Sequence, residues 1–288
     1  MKTRIITAAI FAAVCIPILL LSEYIVFPIA LAIFSLISVM ELLRVFGLHR
    51  SYLVAAPSYG LALLLPFFAY KDFSGWFVGI FGSEPAFAYL TFSSTLMFLF
   101  LLYMAFASVF ARGKLEVKDI SIGFMSVVYI VIAFVSCVVL RYMDYGFYLI
   151  ILVVIIAWGN DISAYFVGTI FGKHKLIPEV SPKKTVEGAI GGVILAAGLS
   201  ALFAFIVTLF DKSVKVNYLS LVIMALVLAV ISILGDLFAS TIKRQYGVKD
   251  FGTVLPGHGG MIDRFDSIIA ISTLTVFICM AFPPFVAV

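Results

Sequence analysis

Nine long apolar stretches, separated by short polar segments, constrain the fold of this chain more than any other feature. Each is close to the roughly 20 residues that a helix needs to cross the hydrocarbon core of a membrane. The predicted bounds are 5–21, 25–43, 52–70, 87–110, 121–140, 145–159, 186–210, 218–238 and 265–284. The shortest, 145–159, runs directly into the polar sequence Trp158-Gly-Asn-Asp161. We therefore predict about nine transmembrane helices.

The composition excludes a water-soluble fold. Charged residues make up 12% of the 288 residues and the mean hydropathy is +1.22, whereas soluble domains carry about 25% charged residues. In lipid, only helices and closed barrels satisfy all of their backbone hydrogen bonds. Barrel strands alternate polar and apolar residues, but these stretches are apolar on all sides. We predict an all-α, polytopic integral membrane protein.

The distribution of basic residues predicts the orientation in the membrane. Lys2 and Arg4 precede an apolar stretch as in a signal peptide, but no small-residue cleavage site follows, so we expect a first span there. With the N-terminus cytoplasmic, the non-cytoplasmic side receives only four of the nineteen Lys and Arg residues: Lys71, Arg141, Lys212 and Lys215. This is the bias of the positive-inside rule. It places the polar segments 159–188 and 239–266 in the cytoplasm and an external loop at 72–86.

Polar residues suited to chemistry concentrate in the second half of the chain. We expect residues 1–140 to form lipid-facing, structural helices, and residues 141–288 to carry a polar site that faces the cytoplasm. In the first part, Glu41 and Arg44 lie one helical turn apart at the end of a predicted span. An interfacial ion pair is favoured there over a catalytic role.

The densest polar segment is 235–267. Helical spacing places Asp236, Ser240 and Lys243 on one face, with Arg244 beside them. Its four carboxylates belong to Asp236, Asp250, Asp263 and Asp266. Carboxylates from two helices that meet at a membrane surface suit a hard cation, and oxygen ligands favour Mg²⁺. We predict that Asp236, Asp263 and Asp266 bind the metal; the alternative is a surface network of salt bridges.

His258 lies between Gly257 and Gly259, so we expect unusual backbone dihedral angles around it. No Cys or further His residues cluster nearby to indicate zinc. A lone histidine is often structural, but here we favour a donor to phosphate or a proton carrier.

The segment after Trp158 has a stripe of small and polar residues. If it is helical, Asp161, Tyr165, Gly168 and Gly172 lie at positions i, i+4, i+7 and i+11. The glycines allow close approach of a ligand or of a neighbouring helix. An ionisable residue near the membrane is costly unless it has a function or a partner, so we favour a functional Asp161 over an interfacial anchor.

Residues 181–185 predict an anion site. Ser181 is the expected cap of a helix that begins at Pro182, and Lys183, Lys184 and Thr185 add donors around a positive helix N-terminus. This combination suits phosphate oxygens. Ordinary positive-inside anchoring explains the lysines equally well.

The segment Ser240 to Asp266, STIKRQYGVKDFGTVLPGHGGMIDRFD, resembles the motif of the phosphatidate cytidylyltransferases (CDP-diacylglycerol synthases) of bacteria. Gly235-Asp-Leu, Ser181-Pro-Lys-Lys-Thr-x-Glu-Gly and Asp161-x-x-Ala-Tyr also resemble that family. The resemblance is dense in the C-terminal half and limited to the pattern of spans in the N-terminal half. Two positions depart from it. The family usually has Glu where this chain has Ala239, and many members have Lys or Arg where it has Thr169.

The resemblance implies that CTP and phosphatidic acid give CDP-diacylglycerol and pyrophosphate in phospholipid biosynthesis. It implies Mg²⁺ as cofactor, with K⁺ as a candidate second cation, and a multi-pass protein of the inner (plasma) membrane. We expect no nucleic-acid partner; a homodimer is a candidate assembly. The implied catalytic residues are Asp236, Lys243, Arg244, His258 and Asp263. The implied substrate-binding residues are Asp161, Tyr165, Ser181, Lys183, Lys184, Thr185, Ser240, Lys249 and Arg264. Asp266 would assist the metal or orient Arg264.

Two other functions are open on the sequence. A CTP-dependent lipid kinase of the dolichol-kinase type would transfer the terminal phosphoryl group to a lipid alcohol and would need a base for that hydroxyl. A cation-coupled transporter would use Asp161, Asp236 and Asp263 as ion sites. Transporters place such carboxylates near the membrane midplane, often in related halves, whereas here the charges gather at one face.

Overall fold

The computed structural model describes residues 2–70, 85–111, 113 and 115–288. The helices before residue 143 are α1 (Lys2–Leu20), α2 (Val26–Val45), α3 (Tyr52–Phe68), α4 (Pro85–Phe110) and α5 (Val117–Tyr142), with a 3-10 turn at Leu48–Arg50. The later ones are α6 (Gly146–Val154), α7 (Asn160–Phe171), α8 (Val186–Phe210), α9 (Tyr218–Gln245) and α10 (Ile262–Ala281). A π-helical turn, Ile155–Gly159, joins α6 to α7. Lys71 and residues 72–84 of the predicted external loop lie outside the described residues.

Each of the predicted apolar stretches coincides with a helix, which confirms the all-α membrane fold. Within the described ranges, seven helical segments are long and apolar enough to cross a membrane. The first and third predicted stretches correspond to the shorter apolar helices Ala9–Leu20, within α1, and Tyr52–Phe68, which is α3. The number of crossings and the side of the N-terminus stay predictions.

The chain divides into two compact units. Unit one comprises Met1–Val139 and Asp250–Arg264, and unit two comprises Leu140–Lys249 and Phe265–Val288. The polar segment 235–267 therefore contributes residues to both units. Its middle part, Asp250–Arg264, belongs with the N-terminal helices.

In unit one, three helices meet closely at Gly123 of α5. A Cβ atom at this position would lie 2.8 Å from Cγ1 of Val54 on α3 and 2.9 Å from Cε of Met104 on α4. Small residues let helices approach closely in lipid, where packing rather than the hydrophobic effect holds them together. Val54 and Met104 are both buried, so this contact belongs to the core of the unit.

In unit two, glycines on both helices bring α7 and α8 into close contact. A Cβ atom at Gly168 would lie 2.8 Å from Oγ1 of Thr185 and 3.5 Å from Cα of Gly188. One at Gly192 would lie 2.8 Å from Cβ of Ala164. The stripe that the sequence predicts on α7 is thus confirmed at Gly168, where the close neighbour is a helix.

The segment that the sequence predicts at 145–159 is longer in the structure. α6, the π-helical turn and α7 form one helical segment, Gly146–Phe171, that can cross a membrane. Asn160 is fully buried, and its Nδ2 donates to the carbonyl oxygen of Ala229 on α9 at 3.1 Å. A neighbouring helix thus accepts a hydrogen bond from the side-chain amide, and the helix continues past the polar sequence that was expected to end it.

Two small antiparallel sheets complete unit two. Strands β1 (Lys175–Ile177) and β2 (Ser181–Thr185) pair before α8, and β3 (Val214–Val216) pairs with β4 (Phe285–Ala287). The β3–β4 pair ties the C-terminal end of the chain to the connection between α8 and α9. These pairs satisfy backbone groups that the helices leave open.

Near β3, Asp211 follows the last residue of α8 and accepts three hydrogen bonds. The hydroxyl of Tyr148 donates to its Oδ2 at 2.9 Å, and the hydroxyl and amide of Ser213 donate to its Oδ1 at 2.6 and 3.1 Å. The hydroxyl of Ser213, followed by that of Tyr148, lowers the pKa of Asp211 below its ordinary value. The carboxylate therefore holds the two chain segments together in its charged form.

Candidate active site

An ion pair in unit two joins the two segments that the sequence predicts to bind phosphate and metal. Nζ of Lys184, on β2, contacts Oδ2 of Asp236, on α9. The two side chains are 26% and 24% exposed, so the pair is largely shielded but open to solvent on one side. The hydroxyl of Ser240, one turn later on α9, donates to Oδ1 of Asp236 at 3.4 Å. The structure therefore brings Lys184 of the predicted anion segment to Asp236 and Ser240 of the predicted metal segment.

Close packing of α9 on α10 brings further carboxylates to this point. A Cβ atom at Gly235 would collide with Cβ of Ala270 and lie 3.3 Å from the carbonyl oxygen of Asp266. Asp266 is 9% exposed, and its carboxylate interacts electrostatically with those of Asp236 and Asp161 and with the ammonium group of Lys243. A buried carboxylate is costly unless a cation or donors offset its charge. Positive charge is therefore needed beside the carboxylates of Asp161, Asp236 and Asp266. Lys184 and Lys243 supply it.

Asp161 is held in place by a residue that the sequence analysis did not select. The hydroxyl of Ser267, on α10, donates to Oδ2 of Asp161, on α7, at 3.2 Å. Ser267 is 1% exposed. The only hint in the sequence is a polar residue directly after Asp266 at the start of an apolar helix. With this contact, α7, α9 and α10 each supply one carboxylate to unit two.

Three cations lie together at the C-terminal end of α9. Lys243, Arg244 and Lys249 line a depression of about 210 Å³ with Gly247 and Val248. Nε of Arg244 also donates to the carbonyl oxygen of Val180, beside β2, at 3.3 Å. Cations at a helix C-terminus are favourable on their own account, and this depression has the charge to take an anion. The structure thus brings these three proposed site residues together, and their roles stay predictions.

The predicted helix start at Ser181 and Pro182 is wrong. Residues 181–185 form strand β2, and α8 begins at Val186 with Thr185 as its N-cap. Oγ1 of Thr185 accepts from the amide of Gly188 at 3.1 Å. Pairing of β2 with β1 holds the segment extended. Lys183 is therefore exposed on a strand, while Lys184 reaches Asp236.

Tyr165 lies on the exposed side of α7. Its side chain is 68% exposed, and its ring contacts that of Phe166 edge to face with the centroids 5.6 Å apart. The role of Tyr165 in lining a site stays a prediction.

In unit one, the Gly-rich segment around His258 forms a tight turn. The amide of His258 donates to the carbonyl oxygen of Leu255 at 2.9 Å, and Gly257, which follows Pro256, has a φ of 79°. Proline followed by a glycine of positive φ is the pattern of a type II turn. Gly259 has a φ of 85°. The predicted unusual dihedrals on both sides of His258 are confirmed.

Asp263 organises the same segment through backbone amides. Its Oδ2 accepts from the amides of Phe251 at 2.8 Å and Gly260 at 2.9 Å. Arg264, the next residue, donates its amide to the carbonyl oxygen of Met261 at 3.0 Å. The structure thus gives Asp263 a role in shaping the loop, and its role as a metal ligand stays a prediction.

Glu41, which the sequence analysis paired with Arg44, instead contacts this segment. It is 5% exposed, and its carboxylate accepts from the amides of Met261 at 2.9 Å and Ile262 at 3.1 Å. The expected ion pair with Arg44 is absent from the ion pairs of the described residues. Nothing in the local sequence predicts this contact, because the partners are 220 and 221 residues apart.

The carboxylates of unit two are the type of ligand that a hard cation prefers, but they do not lie close enough together to bind one ion. Asp161, Asp236 and Asp266 supply carboxylate oxygens, the ligands that Mg²⁺ prefers. Across the described part of the chain, no three His, Cys, Asp or Glu side chains converge tightly enough to form a ready-made metal site. The carboxylates would have to approach one another to share an ion.

Comparison with known proteins covers nearly the whole chain. A profile of the cytidylyltransferase family matches residues 2–282. A protein named phosphatidate cytidylyltransferase from Bacillus subtilis is 33% identical over 287 residues, which is 98% of each chain. Proteins of that name from Staphylococcus haemolyticus and Staphylococcus aureus are 33% identical over 274 residues, or 95% of this chain and 97% of theirs.

The chain belongs to the cytidylyltransferase family. The match extends through both compact units and through all of the polar segments described above. The resemblance noted from residues 240–266 is therefore confirmed, and it reaches the N-terminal helices as well.

The two departures from the cytidylyltransferase pattern have different surroundings. Ala239 is 3% exposed within α9, so a longer acidic side chain there would have to enter the packed interior of unit two. Thr169 is exposed, and its hydroxyl donates to the carbonyl oxygen of Tyr165 at 2.7 Å. This hydroxyl is bonded to its own helix and adds no charge to the surface at position 169.

Proposed function

We infer that the chain transfers the cytidylyl group of CTP to phosphatidic acid, giving CDP-diacylglycerol and pyrophosphate. The observation that carries this inference is the full-length similarity to bacterial proteins named phosphatidate cytidylyltransferase. The grouping of carboxylates and lysines in unit two supports it, because reactions between two phosphates require concentrated positive charge. The reaction belongs to phospholipid biosynthesis, and the bilayer that the helices span supplies the lipid substrate.

This reaction requires neutralisation of the negative charge on the two phosphates rather than a general base. The second pKa of a phosphomonoester is about 6, so the lipid phosphate is already largely ionised near neutral pH. One of its oxygens forms a bond to the α-phosphorus of CTP as the bond from that phosphorus to the bridging oxygen breaks. Pyrophosphate leaves with that oxygen. No proton has to be removed from the nucleophile.

Cations of unit two are placed to offset this charge. We propose that Lys184 and Lys243 neutralise phosphate oxygens beside the carboxylates of Asp236 and Asp266. Lys183, Arg244 and Lys249 hold the outgoing phosphates, with the hydroxyls of Ser181, Thr185 and Ser240 as further donors. Asp161, fixed by Ser267, completes the acidic side.

Mg²⁺ is proposed as the resident cation, held through Asp236 and Asp266 with Asp161 nearby. When bound, it would neutralise charge on the phosphates. From the resemblance of residues 240–266 we further propose roles for Asp263, His258 and Arg264, in unit one, in binding the metal and the nucleotide phosphates. K⁺ and a homodimer remain further proposals.

The cytoplasmic face of the plasma membrane is the proposed side of the reaction. The bias of Lys and Arg towards that side supports this orientation. In inverted membrane vesicles, externally added CTP should be used at once. Sealed right-side-out vesicles should use it only after permeabilisation, and equal activity in both would contradict the orientation.

A reconstituted assay tests the activity itself. Wild-type protein in phosphatidic acid vesicles, with Mg²⁺ and CTP labelled in the cytosine ring, should move the label into lipid. Asp236→Asn should abolish this transfer, and chelation of Mg²⁺ should do so reversibly. The family relationship does not favour a lipid kinase or a transporter. A kinase would leave the ring label in solution, and absence of labelled lipid with wild-type protein would contradict the proposed function.

A further inference from the structure

The buried carboxylate of Glu41 lies at the end of α2 in unit one, where its charge does not suit its own helix. Negative charge is unfavourable in the last turn of a helix and favourable at the first turn. Glu41 accepts hydrogen bonds from Met261 and Ile262, the residues at which α10 begins. It therefore caps another helix, far away in the sequence, and satisfies two amides that a helix start leaves open.

The loop is shaped to surround this carboxylate. A Cβ atom at Gly252 would lie 2.7 Å from Cδ of Glu41, and one at Gly260 would lie 2.6 Å from the same atom. A side chain at either position would therefore displace the carboxylate of Glu41. Two glycines on separate parts of the loop thus enclose one buried acid.

Glu41 and Asp263 divide the amides of the loop between them. Asp263 accepts from Phe251 and Gly260, and Glu41 accepts from Met261 and Ile262. Three successive amides, 260–262, are therefore taken by two carboxylates. The segment is also tied by the hydroxyl of Thr7, which donates to the carbonyl oxygen of Pro256 at 2.8 Å.

We propose that Glu41 is a positioning residue that sets the conformation of segment 250–264 and, through it, the binding of the nucleotide. The first part rests on the contacts above; the second rests on the proposed function, which assigns His258, Asp263 and Arg264 to CTP and its metal. Glu41 itself touches neither reacting atom nor substrate. An uncharged residue there leaves at least one of the two buried amides without its acceptor, and the start of α10 and the turn at His258 loosen together.

Glu41→Gln is the main test, because it keeps the shape and replaces one acceptor oxygen by a donor. Glu23→Gln, at an exposed glutamate just before α2, is the matched control. Hydrogen exchange of amides 251–262, followed by mass spectrometry, should quicken about tenfold in Glu41→Gln and not in the control. Glu41→Asp, which keeps the charge, should recover part of the protection.

Kinetics separate positioning from simple stabilisation. A smaller folded fraction lowers kcat and leaves KM unchanged, whereas a displaced loop raises KM for CTP. We expect KM for CTP to rise about tenfold in Glu41→Gln while KM for phosphatidic acid changes less than about twofold. Unchanged exchange in residues 251–262 would overturn the proposal, and so would faster exchange with both KM values at the wild-type level.

Gly260→Ala provides a second variant in case Glu41→Gln fails to fold. Its new Cβ meets Glu41 from the loop side, and it should reproduce the faster exchange and the higher KM for CTP. In a Glu41→Ala background the same change should have a smaller effect, because the obstructing carboxylate is gone; an additive effect would count against the proposal. If wild-type protein forms no CDP-diacylglycerol, the proposed function fails, and the exchange measurement still decides whether Glu41 holds the loop.

Discussion

Lys184 and Asp236 form an ion pair that joins β2 to α9 in unit two. The lysine comes from the segment before α8, and the aspartate comes from within the apolar part of α9. Asp236 also interacts with the buried carboxylate of Asp266. The pair thus places a positive group beside several negative ones, and a phosphate or a metal ion would have to bind within this arrangement.

Lys184→Gln should lower kcat/KM for cytidylyl transfer by about 100-fold, the size of effect seen when one stabilising donor is removed from an active site. The glutamine side chain is one atom shorter than that of lysine and carries no charge, so it no longer offsets the charge of Asp236. Lys215→Gln, at an exposed lysine of β3, should leave activity within about twofold of wild type. A similar loss in both variants would indicate a general effect of charge.

Ser267→Ala should lower kcat/KM about tenfold, because it removes the hydroxyl that orients Asp161 and a hydrogen bond to a charged group is worth about 1.5 kcal/mol or more. Ser272→Ala is the matched control on the same helix. Ser272 is equally buried, but its hydroxyl donates to the carbonyl oxygen of Ile268 at 2.6 Å. Steady-state kinetics of both variants decide the matter. Equal activities would show that the contact with Asp161 has no catalytic value.

Gly235→Ala should lower the apparent unfolding temperature, because the added methyl group meets Ala270 where α9 packs on α10. Overpacking of this kind costs about 1–3 kcal/mol. Gly198→Ala, where a Cβ atom would have no neighbour within 4 Å, should be neutral or stabilise α8 by up to about 1 kcal/mol. Thermal unfolding in one detergent compares them directly. Destabilisation of both to the same extent would contradict the close approach.

Asp211 should make stability depend on pH in the acidic range. Its pKa is lowered in the folded protein, first by the hydroxyl of Ser213. The folded state therefore binds fewer protons than the unfolded state, so the contribution is present above the ordinary pKa of 3.8 and is lost as the pH falls through the folded value.

The measurement is the apparent unfolding temperature of wild type and Asp211→Asn between about pH 3 and pH 7. The advantage of wild type should be largest at neutral pH and should shrink on acidification. Asp144→Asn, at an exposed aspartate of the same unit, serves as control. A difference that stays constant across the range would show that ionisation of Asp211 is not its source.

The helices were predictable because their apolar stretches have the length that a bilayer demands. The end of one was not: the helix that begins at Gly146 continues through Phe171, beyond the predicted residue 159. Hydropathy signals the polar sequence after Trp158 as a boundary. It cannot show that the carbonyl oxygen of Ala229 accepts a hydrogen bond from the side-chain amide of Asn160.

Helix-start signals in the local sequence also failed where the pairing of two strands decides the structure. Ser181 and Pro182 have the composition of a helix start, yet β1 keeps them extended and Thr185 becomes the cap. Within the candidate site, residues that the sequence proposed separately lie near one another: Lys184 contacts Asp236, and Lys249 lines one depression with Lys243 and Arg244. The sequence analysis missed Ser267 and Glu41, whose partners are 106 and 220 residues away, because neither contact leaves a trace in local spacing.

The π-helical turn at Ile155–Gly159 makes the number of residues in the helical segment Gly146–Phe171 as important as their identity. An α-helix turns by about 100° per residue, and the wider turn accommodates one additional residue. Deleting a single residue there would restore an unbroken α-helix and swing Asn160 and Asp161 by about a quarter of a revolution relative to the residues before them. Homologous chains should therefore keep the residue count between Gly146 and Phe171, even where individual side chains differ.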